Sequence, residues 1–298
     1  MQNGTNLKIG AVMVTYHPDS AVFGNILKLA EQVNELIIVD NGSPTDFWTQ
    51  LGEQYPEVKF KKITNPKNLG IATAFNLGAR ALLDSGFDCV MTFDQDSTLP
   101  PDYVKQLLEA YFEARKIFGE IGIFGTYFRD ENSGIVFPNH FKASGDFVIA
   151  ESTISSGNFI PAQTFLKIGF FRDDFFIDAV DTEFHLRAHD AGLPLVLTRK
   201  ILLPHYIGQQ KIARLFGIEF PLTSHNYVRR YYMARNKTLN YKKFAFTHSA
   251  WFRSELRMFL GDFLTMIFYE KDKLRKLQYT FKGIFDGIQG RTGELEQQ

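Results

Sequence analysis

Cysteine is nearly absent: Cys89 stands alone among 298 residues. No internal disulfide can form, and a zinc site built from four cysteines is excluded. A lone thiol fits a reducing cytoplasm. An excess of charge is missing too. Lys plus Arg and Asp plus Glu both number 33, so the formal net charge is zero. No global bias points to nucleic acid, and any acidic partner must be met by a local patch. Long apolar runs are also lacking. The nearest, MFLGDFLTMIFY, carries Asp262 in its middle, so no stretch is apolar enough to cross a bilayer. The polar start MQNGTNLKIG has no secretory hydrophobic region, from which no leader is expected. No Gly-x-Gly-x-x-Gly follows the first apolar segment and no Walker-type loop occurs. The usual devices for cradling a dinucleotide or a nucleoside triphosphate are therefore missing.

What is present is a soluble core's composition, 45% hydrophobic and 22% charged, in a chain long enough for one large domain or two modest ones. The first half alternates in period. KIGAVMVTY (8–16), ELIIVDNGS (35–43), VKFKKITN (58–65) and CVMTFDQDS (89–97) read as strands. Between them, residues 21–33, 70–86 and 102–118 carry apolar residues at helical spacing. That alternation, with near-continuous apolar strands, predicts an α/β fold with a mainly parallel sheet covered on both faces. Further on, 154–171 reads as turns and a short helix, 175–193 as an amphipathic helix stopped by Gly192, and 194–209 as strands ending at His205. From about residue 226 the chain reads as helical, basic and aromatic.

Ligands bind such sheets at the carboxyl ends of their strands. The polar residues there are Thr15, Tyr16, His17, Asp40, Asn41, Asn68, Asp94 and Asp96. Asp94 and Asp96 stand two apart in VMTFDQDSTLP, and a strand turns such residues to one face. Two carboxylates held close repel unless a cation lies between them, which suits a hard divalent ion such as Mg²⁺ or Mn²⁺. A solvated loop of turn-forming aspartates is the plainer alternative.

Four segments in order, VTYHP, VDNGS, NPKNLGIATAFNLGA and FDQDSTLP, resemble the glycosyltransferase family 2 enzymes of the GT-A fold, and among them bacterial rhamnosyltransferases that build cell-surface polysaccharides. The resemblance continues through SSGNFI, FFIDAVDTEFHLRAHDAG, LPHYIG and RRYYMARN to FKGIFDGIQGRTG. It implies a GT-A catalytic domain over 1–225, with a nucleotide-sugar half to about 100 and an acceptor half beyond. A helical extension over 226–298 then serves membrane association or dimerisation. It also implies an inverting transfer, from dTDP-L-rhamnose or alternatively a UDP-sugar, to a saccharide or lipid-linked saccharide. Asp40 falls where the family contacts the nucleobase, Thr15 and Tyr16 line the base pocket, and Asn68, Asp94 and Gln95 line the donor site. Asp96 falls at the metal-ligand position, with Asp94 beside it. The family's base lies in an acidic pair before a helix. Here that pair reads Val180-Asp181, leaving Asp181 as the candidate, with Glu183 and Asp178 behind it. Otherwise Asp181 is a helix-terminal carboxylate favoured by the macrodipole.

His205 is either a third metal ligand or diphosphate contact, or a hydrogen-bonded core histidine; His225 reads as structural. Arg229, Arg230 and Arg235 suit phosphate by chemistry, against a solvated helix face. Residues 251–285 mix large apolar residues with Lys271, Lys273, Arg275 and Lys276. They suit a membrane interface, a dimer seam, or packing on the catalytic domain. The rival enzyme class is a sugar-phosphate nucleotidyltransferase, which needs a glycine-rich basic loop after the first strand, where TYHPDS stands.

Overall fold

All seven residues of β1 (Ile9–Thr15) are buried. Ala11 and Met13 face one core and Val12 and Val14 the other, as a strand covered on both faces requires. A computed structural model describes residues 7–44, 46–138, 145–205, 210–215, 218–223 and 225–295, with backbone alone over 210–223. After β1 come α1 (Ala21–Ala30), β2 (Glu35–Asp40), α2 (Asp46–Gln54), β3 (Lys61–Thr64), α3 (Ile71–Asp84), β4 (Cys89–Asp94) and α4 (Tyr103–Phe118). Strand-helix alternation runs as the periodicity predicts, with α2 added between β2 and β3, where no helix is predicted.

Next are β5 (Ile123–Asp130), β6 (Val136–Phe137), β7 (Phe147–Ala150), β8 (Asn158–Pro161) and α5 (Ala162–Ile168). A 3₁₀ turn (Asp173–Phe175), α6 (Val180–Asp190) and β9 (Leu195–His205) follow. The hairpin β10 (Gln210–Leu215) and β11 (Ile218–Thr223) leads to α7 (Tyr227–Phe244), α8 (Ser249–Tyr269) and α9 (Lys273–Gln289). The final four residues of the strand segment 194–209 and the polar start 1–6 lie outside the described residues.

Nine strands form one sheet, ordered β3-β2-β1-β4-β8-β5-β9-β7, with β6 on β5. The first four are parallel. Beyond β4 the sheet is mixed: β8 runs antiparallel to β4 and β5, and β7 to β9, while β5 and β9 are parallel. The mainly parallel expectation therefore holds only for the first four strands of that order. Residues 145–161 carry no helical period, and without a crossover helix a returning strand pairs antiparallel.

The helix expected from 175 begins at Val180. Phe176, Asp178 and Ala179 have φ of 65°, 65° and 57°, a left-handed conformation no α-helix contains. Its stop is as read, with Gly192 at φ 75°. At the other end of the chain, α9 lies against α7 at very short range. A Cβ on Gly283 would stand 2.4 Å from the Tyr231 carbonyl oxygen, and one on Gly287 2.7 Å from Thr238 Cβ. Helix α7 is itself woven into the catalytic fold. The Asn236 side-chain amide donates to the carbonyls of Phe175, Ile177 and Asp178.

Candidate active site

Parallel register carries the ends of β1, β2 and β4 to one edge, with Thr15 opposite Asp40 and Val14 opposite Asp94. Gln95 ties two of these ends together. Its Oε1 accepts from Tyr16 N at 2.8 Å, and its Nε2 donates to Tyr16 O at 3.3 Å. Strand β9 brings in His205, which bridges to Ser97. The Ser97 hydroxyl meets His205 Nδ1 at 2.9 Å and the Ser156 hydroxyl at 2.6 Å, and Ser156 accepts from Asp94 N at 3.1 Å. Three separate segments are locked together by this chain.

One ligand atom each from Asp94, Asp96 and His205 lies within 4.8 Å of the others. Burial, then the charges of Asp96 and Asp181, push Asp94 up to about 8, against the pull of Arg229. Asp96 is raised by its enclosure and drawn back by His205. Burial lowers His205, which leaves a neutral ring with a lone pair. Two crowded carboxylates and a neutral imidazole are the donor set a divalent cation stabilises, so the residues fit such an ion. The reading of Asp94 and Asp96 as a mere solvated loop does not explain their convergence with a histidine 109 residues beyond Asp96.

A cavity of about 640 Å³ opens over this cluster. Tyr16, Asn68, Gln95, Asp94, Asp96, Asp181 and His205 all line it. Asp181 sits in the first turn of α6 and is pushed up to about 6. Burial is the main cause, with Asp178 and Glu255 adding to it and the Thr182 N–H, donating at 2.8 Å, opposing. Thr15 and Asp40 are not on the cavity wall. Asp40 is buried, accepting from Trp48 Nε1 at 3.1 Å and from the Thr15 hydroxyl at 3.4 Å.

Asn68 is held through its oxygen, which accepts from Gly70 N and Asn41 Nδ2, both at 2.9 Å. Gly70 has φ 86°, and a Cβ there would fall 2.5 Å from the Phe176 carbonyl oxygen. Ile71 N donates to that same oxygen at 2.7 Å, so the Asn68 loop and the segment before Asp181 touch directly.

Arg229 also lines the cavity, gripping Asp178 at 3.0 Å. The solvated-face reading is corrected for Arg230 and Arg235, whereas Arg229 keeps an exposed side chain. Arg230 is buried against Asp262 and Glu270, and Arg235 is buried with its guanidinium on the carbonyls of Asp174, Phe175 and Gly293. His225, read as structural, lines the cavity too, its pKa lowered first by burial. Of the reserve acids, Glu183 is fully buried between Arg187 and Lys243 and does not reach the cavity. The serines of SSGNFI were visible in sequence, but nothing local announced that Ser156 would join Asp94 to Ser97.

A family profile described as glycosyl transferase family 2 matches residues 11–161. The chain belongs to this family. A dTDP-rhamnosyl transferase, RfbF of Shigella flexneri, is 30% identical over 97% of this chain and 98% of its own length. The nucleotidyltransferase alternative is thereby set aside. Among solved structures, S. aureus TarS 1–349 with UDP-GlcNAc aligns at TM-score 0.55 and 13% identity, covering 96% of this chain and 93% of that one. A mannosyltransferase from Pyrobaculum calidifontis with GDP-Man and Mn²⁺ aligns at 0.55 and 10%, covering 94% and 87%. Against GalNAc-T7 and a longer TarS structure the chain spans only 48% and 43% of their lengths. The fold is that of the GT-A glycosyltransferases, and the enzyme is a glycosyltransferase.

Proposed function

We propose that this family 2 enzyme transfers L-rhamnose from dTDP-L-rhamnose, with inversion, to a saccharide or lipid-linked saccharide of a growing cell-surface polysaccharide. The observation that carries the mechanism is one cavity with Asp181 on its wall and the Asp94–Asp96–His205 cluster at its floor. Support for the donor comes from a relative of matching length whose name specifies dTDP-rhamnose. The apolar wall around Ile71, Phe75 and Phe171 agrees with this. An apolar wall of this kind suits the C6 methyl of a 6-deoxy sugar.

Tyr16, on the cavity wall and 46% exposed, offers its ring to the base. Asn68 keeps amide N–H donors for the donor sugar, because its protein contacts use its oxygen. A divalent cation, Mg²⁺ or Mn²⁺, held by Asp94, Asp96 and His205 would supply Lewis acidity toward the leaving diphosphate. Arg229 adds a fixed positive charge on the same wall. Asp181, raised to about 6, is ionised at neutral pH yet basic enough to take the acceptor hydroxyl's proton. Attack from the face opposite the diphosphate then inverts the anomeric carbon. The work belongs to the cytoplasm, at the inner membrane face when the acceptor is lipid-linked.

Turnover with dTDP-rhamnose and a panel of UDP-sugars, with the product's anomeric configuration read by NMR, tests this. Asp181→Asn is expected to lower turnover by about 10²–10⁴-fold while leaving donor affinity nearly unchanged. Turnover on UDP-sugars alone would overturn the donor, retention the single displacement, and near-normal turnover of Asp181→Asn the choice of base.

A further inference from the structure

Helix α9 is patterned inside out. Toward α7 it buries Lys276, Thr280, Gly283, Asp286 and Gly287, while Leu274, Phe281, Phe285 and Ile288 face outward. The outward residues recur at helical spacing, and Phe281 and Phe285 are 58% and 56% exposed. A helix packed only on its own domain does the reverse, turning the apolar stripe inward. Helix α8 repeats the pattern. It buries only Trp251, Thr265 and Met266, and leaves Leu260, Leu264 and Phe268 exposed. The two stripes meet where the Phe263 ring stands 6.1 Å from that of Phe281. An apolar surface of this extent marks an interaction face.

Charge decides what covers it. The acids of these helices are turned inward and neutralised: Glu255 on Lys237, Asp262 on Arg230, Glu270 on Arg230 and Lys276, and Asp286 on Lys282 and Arg291. Arg253, Arg257, Lys271, Lys273 and Arg275 are exposed, and from 249 to 291 the one exposed acid is Asp272. A chain of zero formal charge has thus concentrated positive charge around an apolar stripe. Two copies joined through this face would set those cations against each other, whereas anionic headgroups would neutralise them.

We propose that the outward faces of α8 and α9 seat on an anionic lipid surface, the apolar side chains entering the headgroup boundary and the cations flanking them. Arg230 joins α8 to α7, and the preceding residue of α7, Arg229, lines the cavity, so the lipid-facing helix and the cavity share one supporting helix. The inference takes its purpose from a lipid-linked acceptor under the function proposed above, but its test involves no transfer.

The full chain is to be sedimented with vesicles of phosphatidylcholine alone and of phosphatidylcholine with phosphatidylglycerol, in parallel with Phe281→Asp/Phe285→Asp and Arg253→Glu/Arg257→Glu. Circular dichroism checks folding, and light scattering the oligomeric state. The expectation is a monomer that binds the phosphatidylglycerol vesicles. Its partition should fall by about tenfold or more in each double variant, and with added salt as the charges are screened. Release of dTDP with a soluble acceptor should survive both variants, so failure of the donor assignment would show separately. Equal partitioning of wild type and variants would overturn the proposal. So would a dimer that Phe281→Asp/Phe285→Asp dissociates without vesicle binding by the parent chain, which would give the face to a second copy.

Discussion

Asp181, the base proposed above, is more buried than an ordinary helix-terminal carboxylate. Its ionised form is disfavoured by burial and by Asp178 and Glu255, and the base works only when ionised. With the divalent cation saturating, so that Asp94 is held ionised, turnover should therefore be flat above about pH 6 and drop about tenfold per unit below it. Removing a negative neighbour makes proton loss easier, so Glu255→Gln should move this limb to lower pH, read from kcat against pH. An unmoved limb would assign the titration to another group. The site's acids were legible because chemistry and strand period agree: residues two apart at a strand end share a face. Arg229 was not legible. RRYYMARN mixes Arg and Asn with Tyr, Met and Ala in no single apolar stripe, so its period does not say that Arg229 meets the cavity while Arg230 and Arg235 turn inward. Glu183 shows the converse. An acid two positions from the base is consumed by Arg187 and Lys243, and only the fold reveals that.

Among the elements, β1, α1, β2, β3, α3, β4 and α4 were readable because each carries a recognisable period, whereas α2, which buries only Phe47 and Leu51, was not. Helix α6 was placed correctly at its end, where Gly192 supplies a positive φ. It was not placed at its start, where non-glycine residues take that conformation under tertiary constraint. The apolar stripe of α9 was visible, but periodicity marks a face without saying what meets it. Gly283 and Gly287 are the other half of that ambiguity, since they let α7 and α9 approach until backbone touches backbone. Gly283→Val should drive these helices apart. Overpacking of this kind costs about 1–3 kcal/mol, and more when the blocking atom is a carbonyl that cannot rotate away. A lowered midpoint of denaturant unfolding checks this. A midpoint equal to wild type would mean that α9 shifts at no cost.

At the scale of the molecule, the segment after α9 returns to the cavity as a strap. Gly293 N donates to Asp174 O at 2.7 Å, and Leu295 N to the Tyr232 hydroxyl at 2.7 Å. Tyr232 stacks on Phe176 with ring centroids 4.9 Å apart, and Glu294 pairs with Lys67 beside Asn68 at 2.6 Å. Leu295→Asp should therefore loosen both the Asn68 loop and the approach to Asp181. Turnover and donor affinity should fall together, with little change in secondary structure by circular dichroism. Unchanged kinetics would make the strap a passive tail. Such long-range closure was invisible in sequence, because strap and loop are 227 residues apart. The solitary thiol has a different use. Cys89 opens β4, the strand that delivers Asp94, and is buried in the core that α1 and α4 share with the sheet. A maleimide can reach it only when that core opens, and burial also raises its pKa. With no second cysteine to confuse the count, the slow rate of alkylation becomes a native gauge of how often the core opens. Nucleotide and metal, binding only the closed form, should lengthen the wait in proportion to their occupancy.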